Sequence, residues 1–296
     1  MAMTAQDRVM TALQHKEPDR VPFDLDGTTV SGIHRIAYRN LLSHIGMDEE
    51  SEISVYDIVT HRNQVEALSQ KTGCALTLVG SGSGIFEYAC WIRGFKEFYL
   101  DLARDPSLAT SLLDKITDYK IRIWELLLDE LGHLAQIAQE ADDLAGQVDL
   151  LISPDMYRQL IKPRHKRVFE FIKKNAPKPM YVFLHSDGAI YDLIPDLIEA
   201  GVQILNPVQV SAARMDTRRL KKEFGDVLCF WGGGVDTQNV LPRGTPDEVR
   251  DEVRRHLDDL APGGGYIFGA IHNIQPDVPP ENIIAMWETL QEYGRY

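Results

Sequence analysis

Two histidines and an aspartate stand where a metal ion could be held. His185 and Asp187 follow the apolar run Val182-Phe183-Leu184, and His272 follows Gly269-Ala270-Ile271. Each run reads as a short buried strand that stops at a polar cluster. In a chain that alternates strands and helices, the carboxyl ends of the strands face one cleft. His185, Asp187 and His272 are therefore expected to converge. Three N/O ligands with a fourth position open is the arrangement of a catalytic zinc. A lone loop histidine is more often a hydrogen-bonded structural residue, so the weight rests on the three together.

Other proposed strands also end in polar residues: Asp24 and Asp26, Asp142 and Asp143, Asn206 and Gln209, Asp236 and Gln238. Any one of these reads equally as a turn or cap residue. Their joint convergence describes a ligand-binding mouth. Asp142, Glu87 and Asp236 are the candidate acid or catalytic groups, and Asp26, Asn206, Gln209 and Gln238 the candidate substrate contacts. Of the two glycine runs, Gly232-Gly233-Gly234 could hold a phosphate or carboxylate near the mouth, whereas Gly263-Gly264-Gly265 precedes its strand and reads as a helix-ending turn. Neither matches a nucleotide-binding fingerprint.

The elements that must position these residues follow from hydrophobic periodicity. Helices are predicted at 4–16, 34–46, 54–72, 105–132, 154–175, 189–199, 215–224, 246–260 and 279–293. Strands are predicted at 21–25, 74–79, 134–138, 180–184, 202–205, 227–231 and 264–268. The strands are short and apolar, as parallel strands buried on both faces must be. Alternating strands and helices imply a parallel sheet with right-handed crossovers. Seven strands are one short of a closed (β/α)8 TIM barrel. Either an eighth lies in 83–103 or the barrel is shortened or incomplete. No linker or repeat divides residues 1–296, so one domain is expected.

A net charge of −13 makes the chain a poor ligand for nucleic-acid phosphates. No apolar run reaches the ~20 residues of a membrane helix, and the first residues lack a signal-peptide pattern. The expectation is a cytoplasmic protein. Cys74, Cys90 and Cys229 are far apart and odd in number, which fits neither a disulfide framework nor a CxxC knuckle.

Several motifs together resemble the uroporphyrinogen decarboxylase superfamily, and more closely its corrinoid-dependent methyltransferase branch. They are Glu17-Pro18-Asp19-Arg20-Val21-Pro22, His185-Ser186-Asp187-Gly188, the run from Ala200 to Gln209, Gly233-Gly234-Val235-Asp236-Thr237-Gln238 and Val278-Pro279-Pro280-Glu281-Asn282-Ile283. The resemblance is dense from about residue 153 onward and patchier before it. It implies a (β/α)8 barrel and, in the methyltransferase branch, a zinc held by a His-x-Cys pair and a distant Cys. Here the paired Cys position holds Asp187 and the distant one His272. Both replacements can bind zinc, and harder ligands leave the ion more Lewis-acidic.

The resemblance thus implies a zinc-dependent methyltransferase. It would move a methyl group between a small substrate, such as a methoxylated aromatic, and a corrinoid (cobalamin) carried by a partner protein. The decarboxylase itself fits poorly. Its arginine-rich motif should follow Pro22, where Phe23-Asp24-Leu25-Asp26 stands instead and would repel a polycarboxylate porphyrinogen. The region 72–84 is also shorter than in such relatives. The alternatives are a metal-independent decarboxylase of a smaller substrate, or a corrinoid-binding scaffold without chemistry.

Overall fold

The computed structural model describes residues 3–25, 27–28, 30–47 and 72–296. Most of the helix expected at 54–72, and Asp26, lie outside these residues. Six strands form one parallel sheet in strict chain order: β1 (Thr77–Val79), β2 (Ile137–Ala141), β3 (Tyr181–His185), β4 (Ile204–Asn206), β5 (Cys229–Trp231) and β6 (Tyr266–Ile267). Neighbours that are also consecutive in sequence, each joined through helix, are the succession of a (β/α) barrel. The segment around Phe23 extends the sheet beyond β6 through parallel bridges Phe23–Phe268 and Ile33–Ile274. Among the described residues no strand pairs with the other edge of β1. The stretch 83–103 hides no strand: it forms the helices Ile85–Arg93 (α3) and Phe95–Arg104 (α4). The barrel is therefore incomplete among the described residues.

The helices before these are α1 (Ala5–Leu13) and α2 (Arg35–His44). Those after them are α5 (Pro106–Leu131), α6 (Lys162–Asn175), α7 (Ile194–Ala200), α8 (Thr217–Phe224), α9 (Val240–Arg243), α10 (Pro246–Leu260) and α11 (Pro280–Tyr293). Several carry the end signals their sequences announce. Thr4 and Asp7 form a capping box on α1, and Thr245 and Glu248 form one on α10. A π-helical turn, Tyr157–Ile161, leads into α6.

Strand alternation splits the core in two. Ile137, Phe183, Ile204, Cys229, Trp231 and Ile267 point inward, where Ala12 and Leu13 of α1 plug the amino-terminal end of the barrel. Ala138, Val182, Leu184, Leu205, Phe230 and Tyr266 point outward into the helical layer. The inward parity carries His185 and Asn206 to the carboxyl end of the barrel interior, since each lies two residues beyond a core residue of its strand.

One strand boundary differs from expectation. β2 begins at Ile137 and runs through Gln139 and Glu140, rather than ending at Ala138. These polar residues are buried. Glu140 pairs with Lys120 Nζ of α5 at 2.7 Å and accepts the Trp124 indole N–H at 2.5 Å. Lys120 also donates to Ser81 Oγ at 3.0 Å and to Ser83 O at 2.5 Å, fixing the loop after β1. A carboxylate inside a strand survives burial because every charge here has a partner.

Candidate metal centre at the carboxyl end of the barrel

His185, Asp187 and His272 meet, with one ligand atom from each lying within 4.8 Å of the others. The two imidazole centroids are 5.6 Å apart, and His185 Nε2 is 3.7 Å from Asp187 Oδ2. His185 is buried, and the other two are half-buried.

Asn206 decides which nitrogen of His185 is free. Its amide Nδ2 donates to the Trp231 carbonyl at 2.9 Å, which turns Oδ1 toward His185 Nδ1 at 2.7 Å. That oxygen can only accept, so His185 Nδ1 carries the proton and Nε2 presents its lone pair. A hydrogen bond on the far nitrogen is how proteins set the tautomer of a ligating histidine.

His272 sits in the loop after β6 with φ of 67°, a conformation that costs a non-glycine residue ~1–3 kcal/mol. Its neighbours hold it there. Thr237 Oγ1 donates to Ile271 O, and Asn273 Oδ1 accepts the Gly32 N–H at 2.6 Å. Burial lowers the His272 pKa, against the opposing pull of the Asp187 charge. His272 Nδ1 accepts the Asn273 N–H at 2.8 Å, so ligation trades either that bond or the Nε2 proton for the metal.

The donor set fits a borderline divalent cation such as zinc, which accepts imidazole and carboxylate together. Zinc–ligand bonds of about 2 Å would require the three side chains to close by about 1 Å. Asp187, His272, Gly188, Gln209 and Gln238 line an open cleft of about 380 Å³, so the fourth side of the site faces space rather than protein.

Of the other predicted residues, Gln209 and Gln238 line this cleft and Asn206 supports it from beneath. Asp142 has another task. It is fully buried, its carboxylate accepts the Phe86 and Glu87 N–H groups at the amino terminus of α3, both at 3.0 Å, and Oδ2 lies 2.9 Å from His165 Nε2. Glu87 closes the same helix end by accepting the Gly84 N–H at 3.3 Å. Burial and the neighbouring carboxylates of Asp142 and Asp143 raise its pKa. Asp236 lies outside the cleft lining and organises the turn after β5. It accepts the Gln238 N–H at 2.8 Å and Asn239 Nδ2 at 2.9 Å, and its own N–H donates to Glu252 of α10. Nearby, His256 Nδ1 lies 3.2 Å from Gly234 O and its Nε2 3.2 Å from an Arg255 nitrogen. A ring that donates on one side and accepts on the other is neutral, and burial takes its pKa down to about 4.

The run Gly232-Gly233-Gly234, a candidate anion loop, has a packing reason for its glycines. A Cβ on Gly232 would lie 2.3 Å from Pro207 O, so the run serves close packing of the β5 loop on the β4 loop.

Two residues given no role in the sequence reading lie beside the site, Asp143, named there only as a strand-end residue, and Ser211, not named at all. Asp143 Oδ1 accepts the Asp187 N–H at 2.9 Å, and burial raises its pKa. Ser211 links Gln209 and Gln238. Strand parity could have found Asp143. Ala141 pairs with His185, so counting by two places Asp143 level with Asp187 and turns Asp142 outward to the helices. Ser211, in an irregular loop, carries no such signal.

The profile described as uroporphyrinogen decarboxylase (URO-D) matches residues 44–293. The chain is 29% identical over 228 residues to uroporphyrinogen decarboxylase of Syntrophotalea carbinolica, covering 74% of this chain and 60% of that protein. It is 27% identical over 237 residues to the enzyme of the same name from a Nostoc species, covering 77% and 62%. The chain thus spans less than two thirds of these curated relatives. A solved methyltransferase from Methanosarcina mazei superposes with a TM-score of 0.69 at 19% identity, covering 98% of this chain and 99% of that one. At that identity the likeness speaks to the fold, and it is end to end. With the profile spanning most of its length, the chain belongs to the uroporphyrinogen decarboxylase family.

Proposed function

We propose that this protein is a zinc-dependent methyltransferase that takes a methyl group from a small O-methyl compound, such as a methoxylated aromatic, to a corrinoid carried by a partner protein. The observation that carries the reading is the meeting of His185, Asp187 and His272 at the floor of an open cleft. The solved methyltransferase of matching extent supports it. Bound at these residues, zinc supplies Lewis acidity to an ether oxygen and so eases loss of the methyl group.

The chain's own residues do the rest. Asn206 holds the His185 proton on Nδ1 and aims Nε2 at the site. Asp143 fixes the backbone of Asp187. Gln209 and Gln238 face the substrate space. Asp236 holds the β5 loop that brings Thr237 and Gln238 to the cleft, and Asp142 holds the start of α3. No helix among the described residues is long and apolar enough to cross a membrane.

Elemental analysis tests the reading. About one zinc per chain is expected, lost in His185→Ala and His272→Ala along with methyl transfer from methoxylated aromatics to a reduced corrinoid. The curated relatives favour a second reading, a metal-independent carboxy-lyase acting on a small acid. Absence of metal even after zinc is supplied would overturn the first reading and leave the second.

A further inference from the structure

The cleft above the metal ligands has an unusual wall. Its polar side chains beyond Asp187 and His272 are carboxamides and one hydroxyl, namely Gln147, Gln209, Gln238, Asn273, Gln275 and Thr237, and among the described residues no lysine or arginine lines it. The orientation of two of these amides is set. The Gly188 N–H donates to Gln209 Oε1 at 2.7 Å, Gln209 Nε2 donates to Ser211 Oγ at 3.4 Å, and Ser211 Oγ donates to Gln238 Oε1 at 3.2 Å. The chain runs one way, with each amide oxygen filled by protein. It ends on the NH2 group of Gln238, whose two N–H donors have no acceptor among the described residues. The second N–H of Gln209 is likewise unspent. The wall therefore offers donors from neutral groups.

The protein itself offers an anion little. Among the described residues no lysine or arginine lines the cleft, Asp187 lines it and Asp143 stands behind it, so a substrate carboxylate would lie beside two acidic side chains with no such cation to pair with. Arg214 reaches the turn closed by the Ala145–Leu150 bridge, whose residues Ala145 to Gln147 line the cleft, but is held by Asp192 at 2.5 Å and Asp149 at 3.6 Å. An ammonium group could pair with Asp187 only in competition with the metal, and it would face the amide N–H groups of Gln209 and Gln238.

We infer that the cleft selects an uncharged substrate rich in hydrogen-bond acceptors, an ether or alcohol rather than a carboxylic acid, and reads it through the amide N–H groups of Gln209 and Gln238. The inference rests on the cleft being the substrate side of the proposed metal centre. It sets this protein apart from the activity its curated relatives are named for, whose substrate carries carboxylates to be removed.

Calorimetric titration of the purified full chain with meta-methoxybenzyl alcohol and meta-methoxybenzoate, near neutral pH, tests it without relying on turnover. The alcohol is expected to bind at least about tenfold more tightly than the carboxylate. Gln238→Arg, at an exposed position whose change leaves the fold intact, is expected to raise affinity for the carboxylate about tenfold while weakening the alcohol. Equal or tighter binding of the carboxylate by the unaltered protein would overturn the inference, as would a Gln238→Arg variant that treats both compounds alike. Binding of neither compound would instead sink the proposed substrate reading itself.

Discussion

The bond between Asn206 and His185 shows how one carboxamide can fix the tautomer of a histidine in the candidate metal centre. Asn206 is tied at both ends, to the Trp231 carbonyl and to His185 Nδ1. Its loss leaves the imidazole free to rotate and to place its proton on either nitrogen. Asn206→Ala is therefore expected to weaken zinc binding by about 10- to 100-fold, measured by competition with a chelator, while far-ultraviolet circular dichroism stays unchanged. Unaltered zinc affinity would remove Asn206 from this role. At this scale the nearness of His185 and Asp187 is legible, because a strand fixes a period of two and His-x-Asp obeys it. Asp142 and Asp143 both stand at a strand end in the sequence, and their roles separate only with the register of β2, which extends three residues past Ala138 and by parity sends Asp143 into the mouth and Asp142 to the helices.

Among the elements, α3 is the one whose position depends most on a distant residue. Asp142 caps it from the end of β2, and Gly84 makes room for the carboxylate: a Cβ at position 84 would lie 2.0 Å from Asp142 Cγ. Gly84→Ala must displace either the cap or the helix and leave a fully buried carboxylate without its donors. A loss of about 3 kcal/mol or more is expected, read from urea unfolding. A loss under 1 kcal/mol would mean that the helix start shifts freely. Elements with clean periodicity, such as α5 and α10, were legible. The polar Gln139 and Glu140 concealed the true extent of β2, because nothing local announces that Lys120 and Trp124 will meet Glu140 inside the protein. The one hint is that Lys120 falls in the apolar stripe of α5 with Leu113, Ile116 and Trp124.

Across the whole molecule, six consecutive parallel strands with Phe23 beside β6 make a barrel wall that the strand-helix alternation already foretold. Of the two expectations, an eighth strand in 83–103 or an incomplete barrel, the described residues meet the second, since 83–103 is helical. The acidity of the chain, by contrast, says little about stability, and a single neutral group says more. Unfolded, His256 takes up its proton near its ordinary 6.5, and folded only near pH about 4. Between those values the unfolded state holds more protons, so stability falls as the solution is acidified through that window. The loss attributable to His256 is about 3 kcal/mol. Urea midpoints followed from pH 7 to 4 are expected to show it, and His256→Gln to lose that part of the slope. An identical slope in the variant would assign the effect to other groups.

The cap on α3 also bears on the order in which the protein can come into being. Asp142 and Phe86 are 56 residues apart in the chain. A nascent chain that has emerged only as far as α5 carries α3 with its first amides bare, since the group that answers them has yet to be synthesised. The start of α3 is thus fixed only after β2 has emerged and found β1. Translation itself places the completion of that helix end after the start of the sheet.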